Sequence, residues 1–170
     1  MAEENHREPN PWEANDPQNT DFHPKPPPAS SYALQLQKLA VGAVVVNIAV
    51  TLYYFVTVAK NQEETSLMSL LLLAIYPVVS LWRGMNPQKT RTYQKPTTER
   101  GWWRYYEIQR RCEFVLALWW GGLSSALLLL TAGLGWNIST IWFFIFAATP
   151  AYIIQAAYKK RLEKSTAHLE

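Results

Sequence analysis

Few residues in this chain are suited to chemistry, and their spacing narrows what they could do. Glu99, Glu107 and Glu113 share one stretch with Arg100, Arg104, Arg110 and Arg111. A general acid–base pair needs two carboxyls in different environments, so that one keeps the proton the other has lost. These three instead stand among arginines at helical spacing, and Glu107 precedes Arg111 in the favourable i, i+4 order, so ion pairing is the expected role. Cys112 is the only cysteine, which excludes an intramolecular disulfide and a cysteine-based metal site. Its position beside an apolar run would suit palmitoylation, but an ordinary reduced thiol is the simpler expectation. His6 and His23 are isolated, and no Gly-rich phosphate loop, nucleophile–base constellation or metal-ligand spacing is present. No catalytic, cofactor-binding or metal-binding residues are expected, and no cofactor.

The elements that would position such groups are apolar helices. About 20 apolar residues of helix cross a hydrocarbon core of about 30 Å. Four runs approach that length: Leu39–Ala59, Ser66–Trp82, Phe114–Leu134 and Thr140–Tyr158. The fold class expected is therefore all-α: an integral membrane protein, a four-transmembrane-helix bundle of two antiparallel hairpins. None of the four runs contains Asp, Glu, His, Lys or Arg. Ionisable groups within a bilayer usually mark proton relays, ion paths or substrate sites, so their absence disfavours proton-coupled transport, histidine-ligated haem and intramembrane metal catalysis.

What remains in the runs is neutral. Ala43, Asn47 and Thr51 recur every four residues and form one small, polar stripe. Ala117, Gly121 and Ser125 repeat the small-xxx-small spacing that lets helices approach closely. These six residues are expected to form a helix-packing or partner face, with the Asn47 amide directed at another helix or another chain, because an unpartnered amide at mid-depth costs several kcal/mol, roughly. Pro77 and Pro150 each remove a backbone hydrogen bond and are expected to kink their helices.

Charge sets the orientation. Every Lys and Arg except Lys60 lies in the N-terminal segment, the stretch between the second and third runs, or the C-terminal tail. The positive-inside rule then places both termini and that stretch in the cytoplasm of a plasma or bacterial inner membrane. Trp102, Trp103, Arg104, Arg110 and Arg111 are expected to contact anionic lipid headgroups at that face. Apart from Gly101 near its start, the stretch 98–134 contains no helix breaker before Gly121, so it reads either as one helix of about 55 Å or as a surface helix followed by a span. Thr98 is the expected N-cap, with Glu99 in the first turn.

Five segments follow: a disordered, Pro-rich, acidic tail over 1–37, a first hairpin over 38–82, a basic and aromatic loop or helix over 83–113, a second hairpin over 114–158, and a basic tail over 159–170. Lys25-Pro26-Pro27-Pro28 should be locally polyproline II. Tyr32-x-x-Gln35 aligns with Tyr106-x-x-Gln109, and the two prolines occupy matching places after Ser66 and Ser139, which suggests a tandem hairpin repeat. The net charge of +3 is too small to point to nucleic acid, so none is expected as a partner. The function expected is that of a non-enzymatic accessory, assembly or scaffold subunit of a membrane complex, its partners being membrane lipids and other membrane subunits or further copies of itself. A transporter or channel component for neutral or lipidic substrates is one alternative, and a lipid-binding protein or enzyme at the cytoplasmic interface is another. An immunity protein would look much the same in sequence.

Overall fold

A computed structural model describes residues 25–57, 67–90, 96, 98–134 and 140–166. The expected turns Lys60–Thr65 and Gly135–Ser139, and residues 1–24, lie outside the described residues. The chain is all-α. Its helices are α1 (Ser31–Thr57), α2 (Leu67–Met85), α3 (Glu99–Leu134) and α4 (Thr140–Thr166), with a short 3₁₀ turn at Pro87–Lys89 and no strand among the described residues.

The starts of α1 and α3 have a local cause. The Ser30 hydroxyl accepts the Ala33 amide at 3.2 Å, so α1 begins at Ser31 and the chain is helical well before residue 38, where disorder was expected to end. Thr98 caps α3 as its sequence suggested: its Oγ1 accepts the Gly101 amide at 3.1 Å, and Glu99 lies in the first turn, where a negative charge favours the helix dipole. From there α3 runs unbroken through 36 residues, about 54 Å. It is therefore a straight continuation of the third apolar run, and residue 113 is no structural boundary. Likewise α4 runs on through the basic segment to Thr166.

α3 is the centre of the packing, in contact with α1, α2 and α4, while α1 also meets α2. Contacts ascend together along α1 and α3: Ser30 lies beside Glu107, Ala43 beside Gly121, and Tyr54 beside Leu128. The two helices are thus parallel, and nothing in the chain joins them directly. Their close approach is made at Gly121, where a Cβ would stand 3.2 Å from the Ala43 carbonyl oxygen. A second tight contact seats Gly84, at the end of α2, against the Phe114 ring, which leaves no room for a side chain.

The distribution of polarity is unusual for a protein surrounded by water. Leu39 (61% exposed), Val45, Leu52 and Val56 of α1 face outward, as do Tyr152 (73% exposed) and Ile153 of α4. Asn47, Ser80, Ser124 and Ser125 are buried. Two helices, α1 and α3, are long and apolar enough to cross a membrane, and Leu71–Met85 forms a shorter apolar helix.

The contact at Gly121 separates two neighbouring glycines. Gly121→Leu should lower the unfolding midpoint in detergent, the overpacking costing about 1–3 kcal/mol. Gly122→Leu should leave it unchanged, because Gly122 has open space around it. Differential scanning fluorimetry of the two variants checks this.

Candidate polar layer and the latch at the helix starts

Two apolar plates bracket the junction of α1, α2 and α3. Leu36, Ala40, Val44, Leu81, Phe114 and Ala117 form one; Tyr54, Leu73 and Leu128 form the other. Between them along the three helices come Asn47, Pro77 and Ser124, each almost fully buried. The layer is thus built where sequence placed small and polar residues at helical spacing, and the close approach at Gly121 draws it together.

Its hydrogen bonding is incomplete. Ser125 Oγ donates to the Gly121 carbonyl at 2.7 Å, and Ser124 Oγ donates to the Trp120 carbonyl. Neither Oδ1 nor Nδ2 of Asn47, which is 0% exposed, has a partner, and the same holds for Thr51 Oγ1 one turn on. Pro77 has no N–H, so the Leu73 carbonyl one turn back loses its intrahelical donor. Of the six residues singled out from sequence, Asn47, Ala117, Gly121 and Ser125 are buried and Ala43 and Thr51 half-buried, with Gly121 lying against Ala43. The two prolines differ: Pro77 is buried in the layer, whereas Pro150 is half-buried.

A second constellation lies at the N-terminal ends of α1 and α3. Ser30 Oγ donates to Glu107 Oε1 and accepts from Arg111 Nη2 at 3.3 Å as well as from the Ala33 amide, which uses the full capacity of one hydroxyl. Arg111 pairs with Glu107 at 2.8 Å, the ion pair the sequence implied, and its guanidinium lies 5.0 Å from the centre of the Tyr32 ring. Arg110 Nη1 donates to the Pro27 carbonyl at 2.8 Å. The proline segment is therefore fastened to α3, which sequence reasoning missed. No sequence signal could have found it, because Arg110 and Arg111 lie 83 and 81 residues from Pro27 and Ser30, the groups they bond.

Of the residues expected to meet lipid headgroups, Trp103 and Arg104 are exposed. Trp102 is not: it is 4% exposed, its ring 5.5 Å from Tyr106 and 5.8 Å from Tyr105, with Leu162 of α4 packed on the cluster. The returning α4 covers this face of α3, so Trp102 serves packing instead. Arg110 and Arg111 are engaged within the chain as described.

The three carboxylates of this region differ in surroundings. Burial raises the Glu107 carboxyl, but the hydrogen bonds from Ser30 and Arg111 outweigh it and hold the group below the ordinary carboxylate range. Glu113 is buried, accepts only a neutral amide, Gln109 Nε2 at 3.2 Å, and is pushed up by burial against the opposing influence of Arg83. Burial, with Glu113 adjacent, raises the Cys112 thiol to about 12. No group of three or more His, Cys, Asp or Glu able to hold a metal occurs among the described residues.

Opposite pH dependences follow. The Glu107 contribution to stability is present above the ordinary carboxylate pKa and is lost as pH falls through its lowered value. The Glu113 contribution is present below the ordinary value and is lost as pH rises through its raised one. Unfolding midpoints measured from acid to neutral pH should lose their acid-side fall in Glu107→Gln, whereas Glu113→Gln should gain over wild type as pH rises. A buried thiol held protonated is also a poor nucleophile. Cys112 should resist maleimide in the folded protein and react after unfolding, as mass spectrometry would show.

Compared with protein families, with curated proteins and with solved structures, the chain matches none.

Proposed function

We propose that the chain is a multi-pass membrane protein that crosses the bilayer four times. Both termini lie in the cytoplasm, and the protein acts without catalysis as an accessory, assembly or scaffold subunit of a membrane complex. The observation that carries the membrane reading is the inverted polarity of the helices. Large aliphatic side chains cover the outside of α1 and α4, while amide and hydroxyl groups are gathered between helices. In water so extensive an apolar surface would drive association; against lipid tails it is the ordinary solvent face.

The parallel course of α1 and α3 supports a topology in which both helices start on one side, next to the basic residues. The positive-inside rule makes that side the cytoplasm. Exposed Trp103 and Arg104 suit contact with anionic headgroups there. Because the small-residue face is consumed inside the chain, a partner subunit would be taken on the outer faces of α1 or α4.

The accessory role rests on the lack of any catalytic constellation in a sequence whose apolar runs carry no charge.

Co-purification from native membranes in mild detergent tests the role: a stoichiometric protein partner is expected, and recovery of a lone monomer under several mild conditions would refute it. Insertion is checked separately by flotation with vesicles after an alkaline wash, where the protein should stay with the lipid.

A further inference from the structure

From the geometry of the junction we infer that the polar layer between α1, α2 and α3 is a binding site for water, which bridges the Asn47 amide, the Thr51 hydroxyl and the Leu73 carbonyl. Three buried side-chain atoms without partners fall within one turn of α1: Asn47 Oδ1, Asn47 Nδ2 and Thr51 Oγ1. On α2 the carbonyl freed by Pro77 belongs to Leu73, which packs with Tyr54 of α1 in the plate that closes the layer. Each unsatisfied group buried in this way costs about 1–3 kcal/mol, so several together would cost a large part of a small bundle's stability.

The chemistry of the groups selects the ligand. Asn47 offers two donors and an acceptor, Thr51 a donor and an acceptor, and the Leu73 carbonyl only an acceptor. A ligand that donates twice and accepts twice matches this set, and buried water characteristically makes two to four such bonds, about three on average. No charged group lies in the layer, so a bound ion would be uncompensated in a medium of low dielectric constant. Apolar plates lie on both sides of the layer and Asn47 is wholly buried, which favours a ligand as small as water. The site lies at mid-membrane only if the four-span reading holds; its burial does not depend on that reading.

The test uses the full chain in phosphatidylcholine–phosphatidylglycerol vesicles, with the Asn side-chain amides labelled with nitrogen-15. Water-edited solid-state NMR should show magnetisation passing from water to the Asn47 amide about as fast as to residues at the headgroups, with the signal assigned by its loss in Asn47→Leu. Thr51→Val should slow that transfer several-fold while the protein stays folded, and it carries the test if Asn47→Leu does not fold. A dry Asn47 amide, or a transfer rate unchanged in Thr51→Val, would overturn the inference. So would an Asn47 signal that moves when sodium chloride is replaced by N-methylglucamine chloride, since a monovalent cation would then occupy the layer. Flotation of the same vesicles separates the two ideas: protein that floats and shows a dry amide loses the water site alone, and protein that does not float loses the four-span reading.

Discussion

The close approach of α1 to α3 at Ala43 and Gly121 is the constraint on which the other contacts depend. These helices are parallel and separated in sequence by α2, so no turn sets their register. The missing side chain at Gly121 lets the Ala43 backbone come within van der Waals reach. Once that distance is fixed, Val44 and Ala40 reach Ala117 and Phe114 on one side of the crossing, and Tyr54 reaches Leu128 on the other. The Asn47 amide is then enclosed whether or not its own bonds are met. Specific packing and incomplete hydrogen bonding have the same origin here.

The latch at the helix starts fixes the same pair from the end. Glu107 bonds Ser30 and Arg111 together, so one carboxylate joins the cap of α1 to the body of α3. The α3–α4 contact is of a different kind. Trp102, Tyr105 and Tyr106 meet Leu162, and Cys112 and Leu116 meet Ala151, which is a largely apolar seam. α3 thus carries a polar fastening toward α1 and an aromatic one toward α4, within a few turns of the same rod.

Much of this was legible in the sequence where the cause is local. The Thr98 cap, the Glu107–Arg111 pair and the helical positions of the four apolar runs depend on neighbours within four residues or on simple periodicity. The small-residue stripes were also legible, but periodicity shows only that a face is smooth and not what it meets; the burial of Asn47 and Ser125 is added by the structure. Trp102 was read as a lipid anchor because Trp beside Arg at the end of an apolar run usually is one; only the return of α4 past it, with Leu162, turns it inward. Glu113 looked like one more salt-bridged carboxylate. It is buried instead, bonded to Gln109 and within the influence of Arg83 of α2, a residue that no spacing rule connects to it. The proline segment read as part of a disordered tail for the same reason: its anchor, Arg110, lies far along the chain.

The central position of α3 bears on how the protein is made. A chain is synthesised from its N-terminus, so α1 and α2 leave the ribosome before the helix that supplies most of their contacts. In a four-span protein the first hairpin would then wait in the bilayer with Asn47 and Thr51 turned toward lipid, a state that a passing insertase or a neighbouring subunit could hold. In such a protein the arrival of α3, which contacts both α1 and α2, would end that wait. The third helix would then be the point at which the chain turns to its own fold rather than to a companion.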